Sequence, residues 1–344
     1  MRSPRCSVRG YDHSQRGAAL VLALLVFAVS AAMMVAMQRQ FTLFYQRAGN
    51  LFQGEQAYAY LRGAEDLASL ALVMDYDQDK RRERPRDDLS EIWARESPPY
   101  PLEEGGWLMG SLEDLQGRFN LNSLDARVSD AQAQGAARFT PSQAQFIRLL
   151  QALGDPALSE QEAVAITEAV GDWLDRDQEA RFDGAEDDYY FVQTPAYRAA
   201  NRPMASVSEL RAVAGISDAL YRALEPWVTV WPVNPLPMNI HTAPPMLLRT
   251  INADDDLSPL SEAEAQRLAD TRAEPGYVDK AAFLEDPVFA GKTMAGIATV
   301  LGESSSSFLL RARVEIADRE MRLYSVLRRQ QRQVTSMVRA SGSL

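Results

Sequence analysis

Between Ala18 and Met37 the chain runs for 20 residues without a charge, and Ser30 is the only polar residue in the run. As a helix rising about 1.5 Å per residue, it spans roughly 30 Å, one hydrocarbon core of a bilayer. A secretory signal has a shorter apolar core, about 7–15 residues, followed by a small-residue cleavage site. Here Gln38-Arg39-Gln40 follows instead. The run therefore reads as a segment that stays with the protein. Arg2, Arg5, Arg9 and Arg16 precede it, against Asp12 alone. That bias places the leader in the cytoplasm and the body outside, in a Gram-negative cell the periplasm.

Helical patterning does not stop at Met37. Phe41, Phe44, Leu51, Phe52, Tyr58, Leu61, Ala64, Leu67 and Leu70 follow at three-to-four spacing between polar residues. One helix from Ala18 to Met74 is predicted, on the order of 85 Å long, apolar all round in its first half and amphipathic in its second. Gly49, Gly54 and Gly63 are points where it can bend. A soluble domain has no use for such a rod, whereas a filament that packs rods along its axis does.

Charge and cysteine content narrow the classes further. The net charge is −11, and the basic leader contributes +3, leaving −14 on residues 18–344. A polyanionic body is poorly suited to nucleic acid or anionic lipid, both of which need lysine and arginine. Cys6 is the only cysteine, so no intramolecular disulfide is available, which fits a reducing compartment and equally an exported body stabilised some other way, for instance by a metal.

A short basic leader ending in Arg16-Gly17, then an apolar helix running into a soluble head, resembles the type IV prepilins and type II secretion pseudopilins. The resemblance implies cleavage by a membrane prepilin peptidase after Gly17 and methylation of the new amino terminus at Ala18. It also implies a Glu at the fifth mature position, where this chain has Leu22. A carboxylate in lipid is costly and persists only with a partner, which in the family is thought to be the terminal amine of a neighbouring subunit. A subunit with nothing in front of it needs no such group. The missing Glu and the large size both resemble the minor pseudopilins of the K class. That resemblance implies a subunit at the tip of a periplasmic pseudopilus, acting with the I and J class minor pseudopilins to initiate assembly.

The expected fold is α+β: a long N-terminal helix packed on a small antiparallel sheet, with a large inserted all-α domain. A basic leader covers 1–17 and the long helix 18–75, with a transmembrane part over 18–37. The head comprises 76–125 and 303–330, the insert 126–302 and a C-terminal tail 331–344. Residues 107–124 alternate as two strands broken near Gln116-Gly117, and 308–329 alternate as a hairpin turning around Asp318. Within the insert, Ser159 with Glu162, Ser206 with Glu209 and Ser261 with Glu264 form three capping-box patterns, each before an apolar repeat of helical spacing. K-class pseudopilins carry a helical insert of this kind.

The densest chemistry is "GDWLDRDQEARFDGAEDDYYF", 171–191. It places Asp172, Asp175, Asp177, Glu179, Asp183, Glu186, Asp187 and Asp188 within 17 positions. Such carboxylates repel one another unless solvated or neutralised by a cation, and hard oxygen donors in this number suit calcium, which takes about six to eight. Asp175, Asp177, Glu179, Asp183 and Glu186 fall at positions 1, 3, 5, 9 and 12 of an EF-hand-like loop, but position 6 is Ala180 and no clear helix follows. Calcium in a non-EF geometry and a solvated acidic loop are the two readings. The K-class resemblance implies structural calcium here, with "GAEDDYY" (184–190) looking like the family's motif.

The remaining motifs carry less. "SVSELRAVAGIS" (206–217) and "PMNIHTAPPMLLRTI" (237–251) resemble halves of helix-hairpin-helix units. No basic cluster accompanies Gly215, so they read as packing modules without nucleic acid. His241 lacks convergent partners for a triad or a zinc site and reads as a packing or capping residue. No phosphate loop or nucleophile elbow is present, and the chain is not expected to be an enzyme. The alternative is a membrane-anchored periplasmic calcium-dependent enzyme or a DNA-uptake module.

Overall fold

A computed structural model describes residues 16–82, 85–95, 97–103, 105–126, 138–316 and 319–342. The chain divides into two compact units, the boundary falling between Ala59 and Tyr60. The first helix, α1, covers Arg16–Arg82. Its first part is long and apolar enough to cross a membrane, and Leu20 to Met37 present their side chains outward. Residues 1–15 of the basic leader, with Cys6, and the turn expected at Asp318 lie outside the described residues.

The second unit begins at Tyr60. There Leu61, Ala64, Ala68 and Leu72 form one buried stripe at helical spacing. α1 extends eight residues beyond Met74, because Asp75 and Asp79, which read as polar termini, are themselves buried. Glu65 is buried too. It accepts from Ser325 Oγ at 2.6 Å and from Arg339 Nε at 2.8 Å, so the helix is held to the sheet by charge as well as by apolar packing.

The strands are β1 (Tyr100–Pro101), β2 (Trp107–Asp114), β3 (Phe119–Asn120), β4 (Val228–Thr229), β5 (Met238–Asn239), β6 (Leu301–Gly302), β7 (Ser307–Ile316), β8 (Arg319–Gln330) and β9 (Gln333–Ala340). Five of them form one antiparallel sheet in the order β1-β2-β7-β8-β9. In β7, Leu310, Ala312, Val314 and Ile316 are buried while Arg311, Arg313 and Glu315 are exposed, the period-2 pattern of a half-buried strand. Phe308 meets Trp93 edge-on at 5.1 Å, and Leu309 packs with Leu115 and Val326.

Two sequence expectations change here. Residues 331–344 are not simply a tail, since 333–340 form the edge strand β9. Gln331, at φ 55°, lies in the two-residue turn that returns the chain beside β8. The expected strand pair within 107–124 does not form. β2 ends at Asp114, whose carboxylate accepts from Gln116 N at 2.8 Å and caps a 3-10 turn over Leu115–Gly117. β2 pairs with β7, and β3 pairs in parallel with β4 elsewhere.

Between the sheet segments lie α2 (Pro141–Ala152), α3 (Glu160–Leu174), α4 (Asp187–Phe191), α5 (Asp218–Leu224), α6 (Pro245–Leu248), α7 (Glu262–Ala273) and α8 (Lys280–Leu284). All three capping-box patterns close as such, although Ser206 starts a 3-10 helix over Val207–Ala212 rather than an α-helix. A fourth, Thr140 with Gln143, starts α2. These helices enclose one apolar core that runs from Phe119 to Leu301 and includes Phe146, Ile147, Val170, Leu224 and Leu248. Gly215, at φ 79°, sits against Ile166 in that packing, the role read for the hairpin-like segment.

Candidate functional site

The acidic loop follows α3 and ends at α4. Apolar residues of α3 bury its last turn, carrying Asp172 to full burial and leaving Asp175 6 % exposed. Asp175 closes the helix, its N–H donating to the Gly171 carbonyl at 3.0 Å. The chain then folds back over the helix end. Arg181 N donates to Asp172 Oδ2 at 3.1 Å, and the Arg181 guanidinium lies 3.3 Å from Asp175 Oδ2. The same guanidinium donates to the Leu124 and Asp125 carbonyls at 3.3 and 3.2 Å. Two glycines make this possible. A methyl at Gly171 would lie 1.1 Å from Arg181 Nη1, and one at Gly184 1.9 Å from Asp172 Oδ2.

The fold brings together Asp175, Asp177 and Glu186 out of the eight carboxylates, with one oxygen of each within 4.8 Å of the others. Glu186 is 6 % exposed, and neither carboxylate oxygen has a hydrogen-bond partner among the described residues. Burial pushes its carboxyl up to about 7, with Asp172, Asp175, Asp177 and Asp187 adding repulsion. Burial likewise raises Asp172 to about 6 despite Arg181.

The other five carboxylates are placed differently. Asp172 is engaged by Arg181. Asp183 receives Arg138 at 3.7 Å, and its N–H donates to Glu168 Oε2 at 2.6 Å. Asp187 accepts from Ala199 N at 3.0 Å. Glu179 and Asp188 stay exposed, and Glu179 N donates to Asp177 Oδ1 at 2.9 Å. Sequence reasoning missed Arg181 as the internal counter-cation and Asn201, whose amide donates to the Asp177 carbonyl at 3.1 Å. The two glycines flanking the loop were the available signal for Arg181. Asn201 comes from beyond α4 and left none.

Three convergent carboxylates, two of them buried and that of Glu186 without a hydrogen-bond donor among the described residues, fit a hard divalent cation rather than a thiophilic or imidazole-bound metal. Of the remaining sequence candidates, Gly17 and Ala18 lie in the first turn of α1, and Leu22 is 65 % exposed on it. His241 is buried. Its N–H donates to Asn239 Oδ1 at 3.0 Å, and its Nε2 has no hydrogen-bond partner among the described residues, as a packing residue would be placed.

An apolar helix able to cross a membrane, a small antiparallel sheet and a large helical insert together define a pseudopilin. Residues 117–233 match the family model for the type II secretion system protein K. The chain is 34 % identical to the type II secretion system protein K of Aeromonas hydrophila over 321 residues, covering 91 % of this chain and 92 % of that one. It is also 34 % identical to that of Pseudomonas aeruginosa over 319 residues, 92 % and 89 % of the two chains. A chain in the crystal structure of the GspK-GspI-GspJ complex from the type 2 secretion system of enterotoxigenic Escherichia coli superposes with a TM-score of 0.73 at 26 % identity, over 87 % of this chain and 100 % of that one. The chain belongs to the type II secretion system protein K family.

Proposed function

We propose that this chain is a minor pseudopilin that leads the type II secretion pseudopilus, capping its periplasmic tip and helping to initiate its assembly. The observation that carries this is Leu22, an apolar residue where a following subunit presents a carboxylate, in a chain whose helical insert would obstruct a subunit stacked ahead of it. The partners are the I and J class minor pseudopilins, in keeping with the composition of the structurally similar GspK-GspI-GspJ complex. The helix is held in the inner membrane before assembly, with the body in the periplasm, and prepilin peptidase cuts after Gly17 and methylates Ala18. The role is structural, and no catalytic step is assigned to any residue. Asp175, Asp177 and Glu186 hold a calcium ion that neutralises the loop and fixes α3 to α4, replacing the disulfide the chain cannot form.

The test is co-expression with the prepilin peptidase and the I and J class subunits, followed by intact mass and co-purification. A mature chain beginning at Ala18 in a ternary complex is expected. A chain retaining Met1 in a peptidase-competent strain, or one that fails to join either subunit, overturns the reading.

A further inference from the structure

The end of α1 buries more negative charge than ion pairing neutralises. Asp75 and Asp79 come from the last turns of the helix, Asp87 and the half-buried Glu91 from the segment after it, and Asp114 from the end of β2. Among the described residues, the cation buried with them is Arg329 of β8. It donates to Asp75 Oδ2 at 2.8 Å, to Asp87 Oδ1 and to the Ser305 carbonyl at 3.0 Å. Asp87 Oδ2 accepts from Ser305 N at 2.6 Å. Asp114 is satisfied separately, by Ser305 Oγ at 2.6 Å, Thr242 Oγ1 at 2.5 Å and Asn239 Nδ2 at 3.1 Å. Glu91 Oε2 accepts from Trp93 Nε1 at 2.7 Å and Asp88 N at 3.1 Å. Arg86 is taken by Asp88 Oδ2 at 2.5 Å and the Tyr277 carbonyl at 2.9 Å.

Asp75, Asp87 and Glu91 each bring an oxygen within 4.8 Å of the other two. Ionised carboxylates only accept, so a hydrogen bond between two of them requires a proton. A cavity of about 460 Å³, lined by Tyr76, Asp79, Asp87, Arg329 and the exposed Lys80, gives water a route to this cluster.

We propose that the cluster is a proton-dependent latch, in which a proton held between Glu91 and Asp75 removes one of the negative charges that Arg329 alone does not balance and so keeps α1 and the segment 85–95 fastened to β8. Burial, with Asp75 and Asp87 beside it, raises Glu91 to about 8 from an ordinary 4.5, and burial raises Asp79 to about 6. The folded state therefore binds the proton more tightly than the unfolded state. The stabilisation is complete below about 4.5 and is lost as pH rises through about 8. Acidic and neutral media keep the joint closed, and an alkaline one loosens it.

Hydrogen exchange on the full chain in detergent, with chelator present throughout to remove divalent cations, tests this. Protection of peptides spanning 72–95, corrected for intrinsic exchange, is expected to fall about tenfold or more between pH 6.5 and pH 9 relative to β7 peptides. E91Q keeps the acceptor for Trp93 but has no proton to lose, and is expected to flatten the profile. Equal behaviour of the two regions, or an unchanged profile in E91Q, overturns the proposal. If E91Q does not fold, difference infrared spectra of the wild-type chain decide. A protonated-carboxyl band that disappears over the same pH range supports the latch, and its absence at pH 6.5 overturns it.

Discussion

Gly171 and Gly184 are fixed by their neighbours rather than by backbone freedom. Arg181 cannot retreat from a methyl at Gly171, because its guanidinium is held by the Leu124 and Asp125 carbonyls and by Asp175. Gly171→Ala and Gly184→Ala are each expected to cost about 1–3 kcal/mol, read from denaturant midpoints. Glu186 behaves in the opposite way. Its buried charge has no hydrogen-bond donor among the described residues, so Glu186→Gln is expected to raise the melting temperature in chelator and to abolish the gain from calcium. In the wild type, calcium at a hundred times its Kd is expected to add about 2.7 kcal/mol. An unchanged wild-type melting curve with and without calcium would remove the ion from this loop. His241 gives an acid-side signature. Burial, with Arg86 beside it, lowers it to about 4 from 6.5, so the unfolded chain takes up the proton first. Its contribution is complete above about pH 6.5 and is lost as pH falls toward 4. His241→Gln should remove that part of the slope from a pH series of unfolding midpoints.

Among the elements, α2 makes the most exacting connection. Arg148, 1 % exposed, donates to the carbonyls of Thr250, Ala253 and Asp256 at 3.0, 2.7 and 2.8 Å, and so holds the turn after α6 against the helix. Arg148→Met fills the volume but leaves those carbonyls without a donor, and is expected to cost at least about 3 kcal/mol in chemical denaturation. Nothing in the sequence marks Arg148, because an arginine between apolar residues reads as a break in the stripe. What could be read was whatever depends on near neighbours in the chain. The three Ser-to-Glu capping boxes, the stripe Leu61 to Leu72 and the alternation of β7 all belong to that class. The partner of β2 is some 200 positions away in the chain, and its own sequence cannot name it. The end of α1 was hidden because Asp75 is paired with Arg329, about 250 residues on, and Asp79 accepts from the Arg86 N–H beyond the helix at 3.2 Å. β9 was hidden because its inward face includes Ser336 and Ala340 as well as Val334 and Val338. In the acidic loop, composition identified the region, while the choice of Asp175, Asp177 and Glu186 depended on how Arg181 folds it back.

For the whole molecule, the decisive property is how many copies a filament can accept. On the capping role proposed above, a following subunit would present a carboxylate to the terminal amine of its neighbour, whereas Leu22 presents hydrocarbon. Lipid imposes no penalty on Leu22, but it can neutralise no amine either, so a second copy of this chain gains nothing by docking at that position. The leader carries Cys6, and the chain after Ala18 contains no cysteine, so a reporter cysteine placed there is unique in a processed chain. In cells assembling the secretion apparatus, Leu22→Cys together with a cysteine placed at the fifth mature position of another pseudopilin, treated with an apolar thiol-specific bifunctional crosslinker, is expected to give adducts between the two and none between two copies of this chain. A ladder of self-adducts would mean that the chain stacks along the filament, and the capping role would fall. Adducts with the I class subunit alone would fit a leading position, because a leading subunit has neighbours on only one side.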